Sequence, residues 1–239
     1  MLTLCGSNDS FQQGEKSNNK NAFTGNPVNC PPVNSRFDAY SISSFSVYGN
    51  HAILITKDNE AFASGSNAGG RITGSLPKCN LKKFTKFVIK DENGRTLYPI
   101  SAACGDGFTL FLVSISSTMT DTRLAYSYDG IKTAQPLFLK TEGLQPVSLF
   151  CGSLNAAAIC TDGSIIFVPE TIHENSSPHL TGSRLPDGDE AVCVAFCNDF
   201  ILAVGKRGKL FESKPPKTGN KLEFSLVENP LKSLAYLRD

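Results

Sequence analysis

Apolar residues in this chain fall into short runs separated by polar pairs, with the spacing expected of strands. "HAILITKDNEAFASGSNAGGRITG", His51 to Gly74, holds an apolar run, the polar turn Asp58-Asn59, a second apolar run and a Gly/Ser/Asn cluster. Three further stretches repeat it: "ACGDGFTLFLVS" from Ala103, "FCGSLNAAAICTDGSIIFV" from Phe150 and "AFCNDFILAVGKRGKLFES" from Ala195. Their anchors, Gly49, Gly105, Gly152 and Cys197, lie 56, 47 and 45 residues apart. Another strand precedes each anchor, as "SISSFSVYG", "PISAACG", "PVSLFCG" and "AVCVAFC". Self-similarity at such a period is the mark of a repeat architecture.

The turns have a local cause. Asp58-Asn59, Asp162-Gly163 and Arg207-Gly208 each stand between a pair of apolar runs. Such pairs tolerate the positive φ of a tight hairpin. In the second copy "ISSTMTDT", Ile115 to Thr122, replaces the pair with a longer polar loop. The runs "AILIT", "TLFLV", "AAAIC" and "ILAV" are almost wholly apolar, which predicts strands covered on both faces. Fourth strands are expected in "KFTKFVIK", "PLFLK" and "LEFSLVE", and more weakly in "HLTGSRL". No stretch predicts an amphipathic helix.

Four-stranded sheets recurring about every 40–50 residues and stacked face to face make an all-β fold, the β-propeller. One such sheet cannot bury both of its faces alone. A single partial propeller of about four to five blades is therefore expected over 1–239. Its repeats run approximately 1–41 (a half), 42–99, 100–146, 147–190, 191–231 and 232–239, the last being the start of the next. "MLTLCGSNDSFQQGEKS" aligns with "EAFASGSNAGGRITGS", Gly6 over Gly65, as the outer part of a copy. "NPLKSLAYLRD" resembles the inner strand that opens one. The termini then share a defective blade, or the chain continues beyond Asp239 in a longer parent; the second is the expectation. An open ring exposes a blade face and strand edges, so self-association through the open propeller edge is expected.

Composition changes this picture little. With 23 basic and 22 acidic residues the net charge is +1, so no global field recruits nucleic acid or an anionic membrane. No apolar run nears the roughly 20 residues of a membrane-spanning helix, and no basic segment precedes an apolar stretch at the start. A cytoplasmic location is expected, with the nucleus as the alternative. The eight cysteines are scattered, several inside apolar runs, and are expected as reduced, buried thiols.

The repeat also carries a family resemblance. "CGSNDSFQQGEKS", Cys5 to Ser17, and "ASGSNAGGRITGS", Ala63 to Ser75, resemble the W-G-S-N-x-x-G-Q-L-G-x-G segment of the regulator of chromosome condensation family. "GNHAILITKDNEAFASGSN" is similar to that family's repeat, with Gly49, His51, Asp58, Gly65, Ser66 and Asn67 at matching positions. "CGSLNAAAICTDGSIIFV" keeps Gly152, Asp162 and Gly163. The likeness covers most of the chain in register, though the chain has no Trp, and Cys5, Ser64 and Tyr128 stand near the expected Trp positions. The resemblance implies a seven-bladed ring, of which this chain holds only some blades. It also implies a protein-binding role or guanine-nucleotide exchange on a small GTPase, in which acidic loop residues and a protruding wedge open the nucleotide site. Asp106 is the acidic loop candidate; the Ile115–Thr122 extension lacks the family wedge's sequence.

Other chemistry is sparse. The Gly-rich "GSNAGGRITGS" follows a hairpin strand and opens no helix, so its glycines and Asn67 are read as positive-φ turn residues rather than a phosphate cradle. His51 is expected as a partly buried side chain bonded to a neighbouring loop. His173, Glu174 and His179 make a weak metal candidate in a polar segment. Cys193 and Cys197 share one face of a strand and are expected in the core. Lys82, Lys83, Lys86 and Lys90, interleaved with Phe84 and Phe87, suggest either an edge strand protected by lysines or, as the lesser reading, a nucleic-acid surface. No cofactor, metal or catalytic residue is expected.

The leading expectation is a non-enzymatic protein-interaction module, acting as scaffold or regulator. Exchange on a small GTPase, or a regulatory propeller within a larger signalling or ubiquitin-ligase protein, are the alternatives. Its binding surface is expected on the blade loops: Asp58, Asn59, Asp162, Gly163, Arg207 and Gly208 at one end, with Asp106 at the other.

Overall fold

A computed structural model describes residues 41–169, 172, 179–197, 199–217 and 219–228, and the backbone pairing at 3–4, 6–7, 21–22 and 28–29. Near the start, β1 (Thr3–Leu4) pairs with β4 (Val28–Asn29), and β2 (Gly6–Ser7) with β3 (Asn21–Ala22), both antiparallel. Four four-stranded antiparallel sheets follow among the described residues, each with its strands in chain order. The first is β5 (Ile42–Tyr48), β6 (His51–Thr56), β7 (Ala61–Ser66) and β8 (Asn80–Phe87). The second is β9 (Tyr98–Gly105), β10 (Phe108–Ser114), β11 (Thr122–Tyr128) and β12 (Leu137–Leu139). The third is β13 (Pro146–Cys151), β14 (Ala156–Cys160), β15 (Ile165–Val168) and β16 (Gly182–Ser183). The fourth is β17 (Ala191–Phe196), β18 (Ile201–Gly205), β19 (Leu210–Ser213) and β20 (Ser225–Leu226). The one helical turn among the described residues is 3-10, Pro186–Gly188, and no helix there is long and apolar enough to cross a membrane.

Register repeats as well as order. The first two strands of every sheet slip by one residue at the same point, bulging at Ser43, Ile100, Val147 and Val192. Gly6 pairs with Ala22 at the same chain separation as Gly65 with Leu81, so the opening residues pair as the outer half of a copy does. The counterpart at 229–239 lies outside the described residues.

The chain groups into two compact units, one holding the first two sheets and the other the third and fourth. In the first, Ile53, Ile55, Ala61 and Ala63 pack on Ala102, Cys104, Phe111, Val113 and Ala125. The far face of the first sheet buries Ala52, Leu54, Phe62 and Phe84. In the second unit Ala157, Ile159, Ile165 and Phe167 of the third sheet pack on Val194, Ile201, Ala203 and Phe211 of the fourth. The apolar second strands are thus buried as their pattern predicts, with one exception: Leu202 and Val204 of β18 are only partly buried. Cys104 and Cys160 are buried, but Cys193 and Cys197 are exposed, against expectation. Cys193 lies on β17 and Cys197 directly after it. Cys79 is exposed too, while Cys5 and Cys30 lie outside the described residues.

Two motif residues lock the first unit. Asn67 is wholly buried, and its role is in its side chain: its φ is not positive. Its Nδ2 donates to the carbonyls of Thr73 (3.0 Å), Leu76 (3.3 Å) and Pro77 (3.1 Å), and its Oδ1 accepts from the amides of Ile72 (2.9 Å) and Thr73 (3.4 Å). One amide thereby satisfies five backbone groups of the β7–β8 connection, which would otherwise be buried unpaired. His51 is fully buried, and its Nε2 stands 3.0 Å from Thr109 Oγ1 on the second strand of the next sheet, not on a loop. Gly65 must be glycine: its φ is +91°, and a Cβ there would meet the Asn50 carbonyl and the His51 Cα.

Burial pushes the His51 imidazole down to about 3; the Arg71 charge acts the same way and the Phe108 backbone opposes it. The fold therefore favours the neutral ring. Its contribution is complete above about pH 6.5 and is lost as pH falls toward 3, because the unfolded chain takes up the proton first. The unfolding free energy from denaturant titrations should drop across that window by an amount on the order of 4 kcal/mol, and His51→Gln should flatten the dependence. Asn67→Ala should cost about 3 kcal/mol by urea unfolding at neutral pH, since it strands several buried backbone groups.

Candidate protein-interaction surface

The turns between second and third strands stand at one end of each unit. In the first sheet this turn is Lys57–Glu60, closed by the Asn59 amide on Thr56 O (3.0 Å) with Asn59 at φ 58°. Asp58 is exposed, whereas Asn59 turns inward and its Nδ2 donates to Pro99 O of the next sheet at 3.0 Å. The longer 115–121 loop of the second sheet shares this end. Ile115 packs into the core there, while the hydroxyls of Ser116, Thr118 and Thr120 link in series at 2.8 and 3.1 Å. It is a hydroxyl-rich knuckle rather than an apolar wedge.

The second unit brings two predicted turns together. Gly163 sits at φ +73° against Glu190, where a Cβ would stand 2.5 Å from the Glu190 Cβ. Its carbonyl accepts from the Ala191 amide at 3.0 Å. Asp162 is exposed; its Oδ1 accepts from the Ser164 hydroxyl (2.6 Å) and amide (3.1 Å), and its Oδ2 from Arg184 (2.8 Å). The Ser164 hydroxyl foremost holds this carboxyl below the usual range, and partial burial opposes it. In the neighbouring turn the Arg207 amide donates to Asp189 Oδ1 (3.3 Å), and Lys206 and Lys209 reach Glu190 (3.0 Å) and Asp187 (3.4 Å). Gly208, at φ +77°, is exposed with open space around it. The segment 184–191 thus binds the Asp162-Gly163 and Arg207-Gly208 turns into one rigid end bearing Asp162, Asp187, Glu190, Arg184, Lys206, Arg207 and Lys209.

Asp106 stands apart from these residues. It is exposed in the β9–β10 turn at the opposite end of the first unit. Close by lies a cluster that the sequence pattern did not single out. Arg71 forks onto Asp129, Nε to Oδ1 at 2.9 Å and Nη2 to Oδ2 at 2.5 Å, while its Nη1 donates to Asn50 Oδ1 at 2.6 Å. Lys78 Nζ caps the Ile131 carbonyl at 2.9 Å, and the Gly130 amide donates to Gly69 O at 2.8 Å. These contacts clip the β7–β8 connection of one sheet onto the β11–β12 connection of the next. Its only signal in the sequence was the Gly-rich segment itself.

The other candidates are only partly placed. Phe84 and Phe87 are 4% and 5% exposed, so their rings are not available to stack on bases, although Lys82, Lys83 and Lys86 of the edge strand β8 are exposed. Lys86 pairs with Glu60 at 2.5 Å. His179 is exposed and 3.9 Å from Glu142; His173 and Glu174 lie outside the described residues. Burial pushes the Cys104 thiol up to about 12 and that of Cys160 up to about 11, so both are poor nucleophiles. Among the described residues no group of three His, Cys, Asp or Glu side chains stands together as metal ligands.

Antiparallel four-stranded sheets in chain order, packed face to face within each unit, are propeller blades. Solved structures share this architecture. Human WBSCR16 matches over 95% of this chain and 62% of its own, at 15% identity and a TM-score of 0.66. Prp20p from Saccharomyces cerevisiae matches over 95% and 56%, at 14% identity and 0.61. Yeast RCC1 (Prp20) bound to Kap60 matches over 75% and 45%, at 15% identity and 0.52. The fold is that of an RCC1-like β-propeller, and the chain spans about three fifths or less of the length of these structures. No family model and no curated protein matches the sequence.

The two glycine turns separate support from display. Gly163→Ala should destabilise by about 3 kcal/mol or more, because φ strain adds to the clash with Glu190. Gly208→Ala, with the same sign of φ and open surroundings, should cost about 1 kcal/mol. Chemical denaturation of the two variants reads the difference directly; equal costs would mean that the Asp162-Gly163 turn is not pinned to the next sheet.

Proposed function

We propose that the chain is a non-enzymatic protein-interaction module, a scaffold or regulator whose partner docks on the strand-two to strand-three turns. The observation behind this reading is the rigid end of the second unit, where Asp162-Gly163 and Arg207-Gly208 are bound together through 184–191. Turns held by a packed sheet present charge without the ordering cost of mobile loops. Exposed acids and bases alternate there, which suits steering and register for a protein surface better than a polyanion.

Guanine-nucleotide exchange is the finer alternative. Its support is the resemblance to a family that contains exchange factors, and the fold shared with Prp20p, which was solved with its binding properties to Gsp1p and histones. The hydroxyl-rich 115–121 loop does not favour it.

Binding to Gsp1p, to other small GTPases and to histones, measured beside release of a fluorescent nucleotide, tests both readings. A bound partner whose affinity falls tenfold or more, about 1.4 kcal/mol, in Asp162→Lys or Arg207→Glu, with unchanged nucleotide release, is expected. Accelerated release would replace this reading with exchange. Binding that survives both substitutions would remove the turn end as the surface.

A further inference from the structure

The outer strands of the four sheets are unequal. β12, β16 and β20 hold three, two and two residues, whereas β8 holds eight. One side of β8 pairs with β7, and among the described residues no strand pairs with the other. A row of backbone donors and acceptors is left facing solvent there, as on any long edge strand. The strand is anchored from both faces of its sheet. Leu81 and Phe87 are buried in the layer shared with the second sheet, and Phe84 on the far face. The Phe87 ring also meets that of Phe111 edge to face, with centroids 5.9 Å apart.

The charge along this edge has one sign. From Lys78 to Lys90 the chain carries five lysines and no acid. The β7–β8 register slips between Ala63 and Gly65, so three residues of β8, Lys82, Lys83 and Phe84, stand opposite one of β7. This bulge exposes Lys82 and Lys83 side by side, where strict alternation would bury one of them. Lys86 reaches Glu60, and Lys78 the Ile131 carbonyl. Lys82, Lys83 and Lys90 are exposed and form no ion pair with a described residue.

That pattern selects the occupant. Two copies of β8 side by side would set lysine against lysine, so the edge rejects its own kind. A strand bearing aspartates or glutamates would answer the unpaired lysines while its backbone extends the ladder. Nucleic acid would find the charge but no ring to stack on, since Phe84 and Phe87 are buried.

We propose that the free edge of β8 is a strand-addition site, taking an extended acidic segment of a partner protein as a fifth strand of the first sheet. Main-chain bonds along the edge supply affinity, and Lys82, Lys83 and Lys90 supply the preference for acid. The site lies in the first unit and does not rest on the turn end of the second.

A labelled ten-residue peptide of alternating glutamate and valine is the probe. At neutral pH and about 0.1 M salt it should bind the chain with a Kd of about 100 μM or below, read by fluorescence anisotropy. Affinity should fall at least tenfold when lysine replaces glutamate in the peptide, and again when Lys82→Gln and Lys83→Gln are combined in the protein. Methylating alternate peptide nitrogens, on the glutamates or on the valines, removes donors but no charge. At least one of these two sets should cost tenfold or more, and the amides of 80–87 should exchange more slowly when the unmodified peptide is bound. No binding, equal binding of the lysine peptide, or indifference to the two lysine substitutions would overturn the proposal. So would binding that survives both methylated sets or leaves exchange at 80–87 unchanged, because the contact would then be charge attraction alone. A single-stranded oligonucleotide of equal charge that binds as tightly would overturn it too, in favour of a general polyanion surface. Gsp1p and histone binding at the turn end is read with different probes, so either surface can fail without the other.

Discussion

Face-to-face cover between apolar sheets is the constraint on which the rest of this molecule depends. A strand such as "AILIT" has no polar face to offer water, so its sheet is stable only when another sheet lies on each side. At roughly 25 cal/mol per Å² of apolar surface removed from water, the Ile53–Phe111 and Phe167–Phe211 layers supply the dominant favourable term in each unit. Turns, clips and charges are arranged by this packing. Gly65 admits the close approach of the Asn50 carbonyl, and Asn67 satisfies the connection that the packing buries.

Polar residues serve holding in the first unit and display in the second. At one end Arg71, Asp129, Lys78 and Asn67 are spent on structure, their polar groups satisfied within the first unit. At the turn end of the second unit, Asp162 and Arg207 are fixed through their turns yet reach solvent. A rigid display of this kind supports recognition of a protein surface. It also gives polar substitutions different consequences according to the end they strike.

Much of the architecture was legible because two periodicities coincided, that of alternate strands and that of the anchors from Gly49 to Cys197. The weak fourth strand in "HLTGSRL" is real but only two residues long, Gly182–Ser183, which explains its faint pattern. The cysteine expectation failed where spacing was the only guide. Cys193 has the sequence surroundings of a core residue, and its exposure depends on whether a further sheet lies beside β17, which no local pattern encodes. Asn67 was placed correctly on a turn but given a backbone role, because its five side-chain bonds reach residues up to ten positions away. The Arg71–Asp129 pair spans 58 positions and two sheets, beyond any short-range signal. For the surface turns, sequence located the hairpins but not the 184–191 segment that joins two of them.

Native-state hydrogen exchange resolved to individual strands tests the packing account most directly. If mutual cover of the sheets holds the fold, the amides of 51–56, 108–114 and 156–160 should exchange slowest and only through cooperative opening, with 201–205 and the edge strands less protected. Second strands that exchange as fast as the turns beside them would contradict it, because sheets stable without covering neighbours would leave the face-to-face packing with nothing to explain.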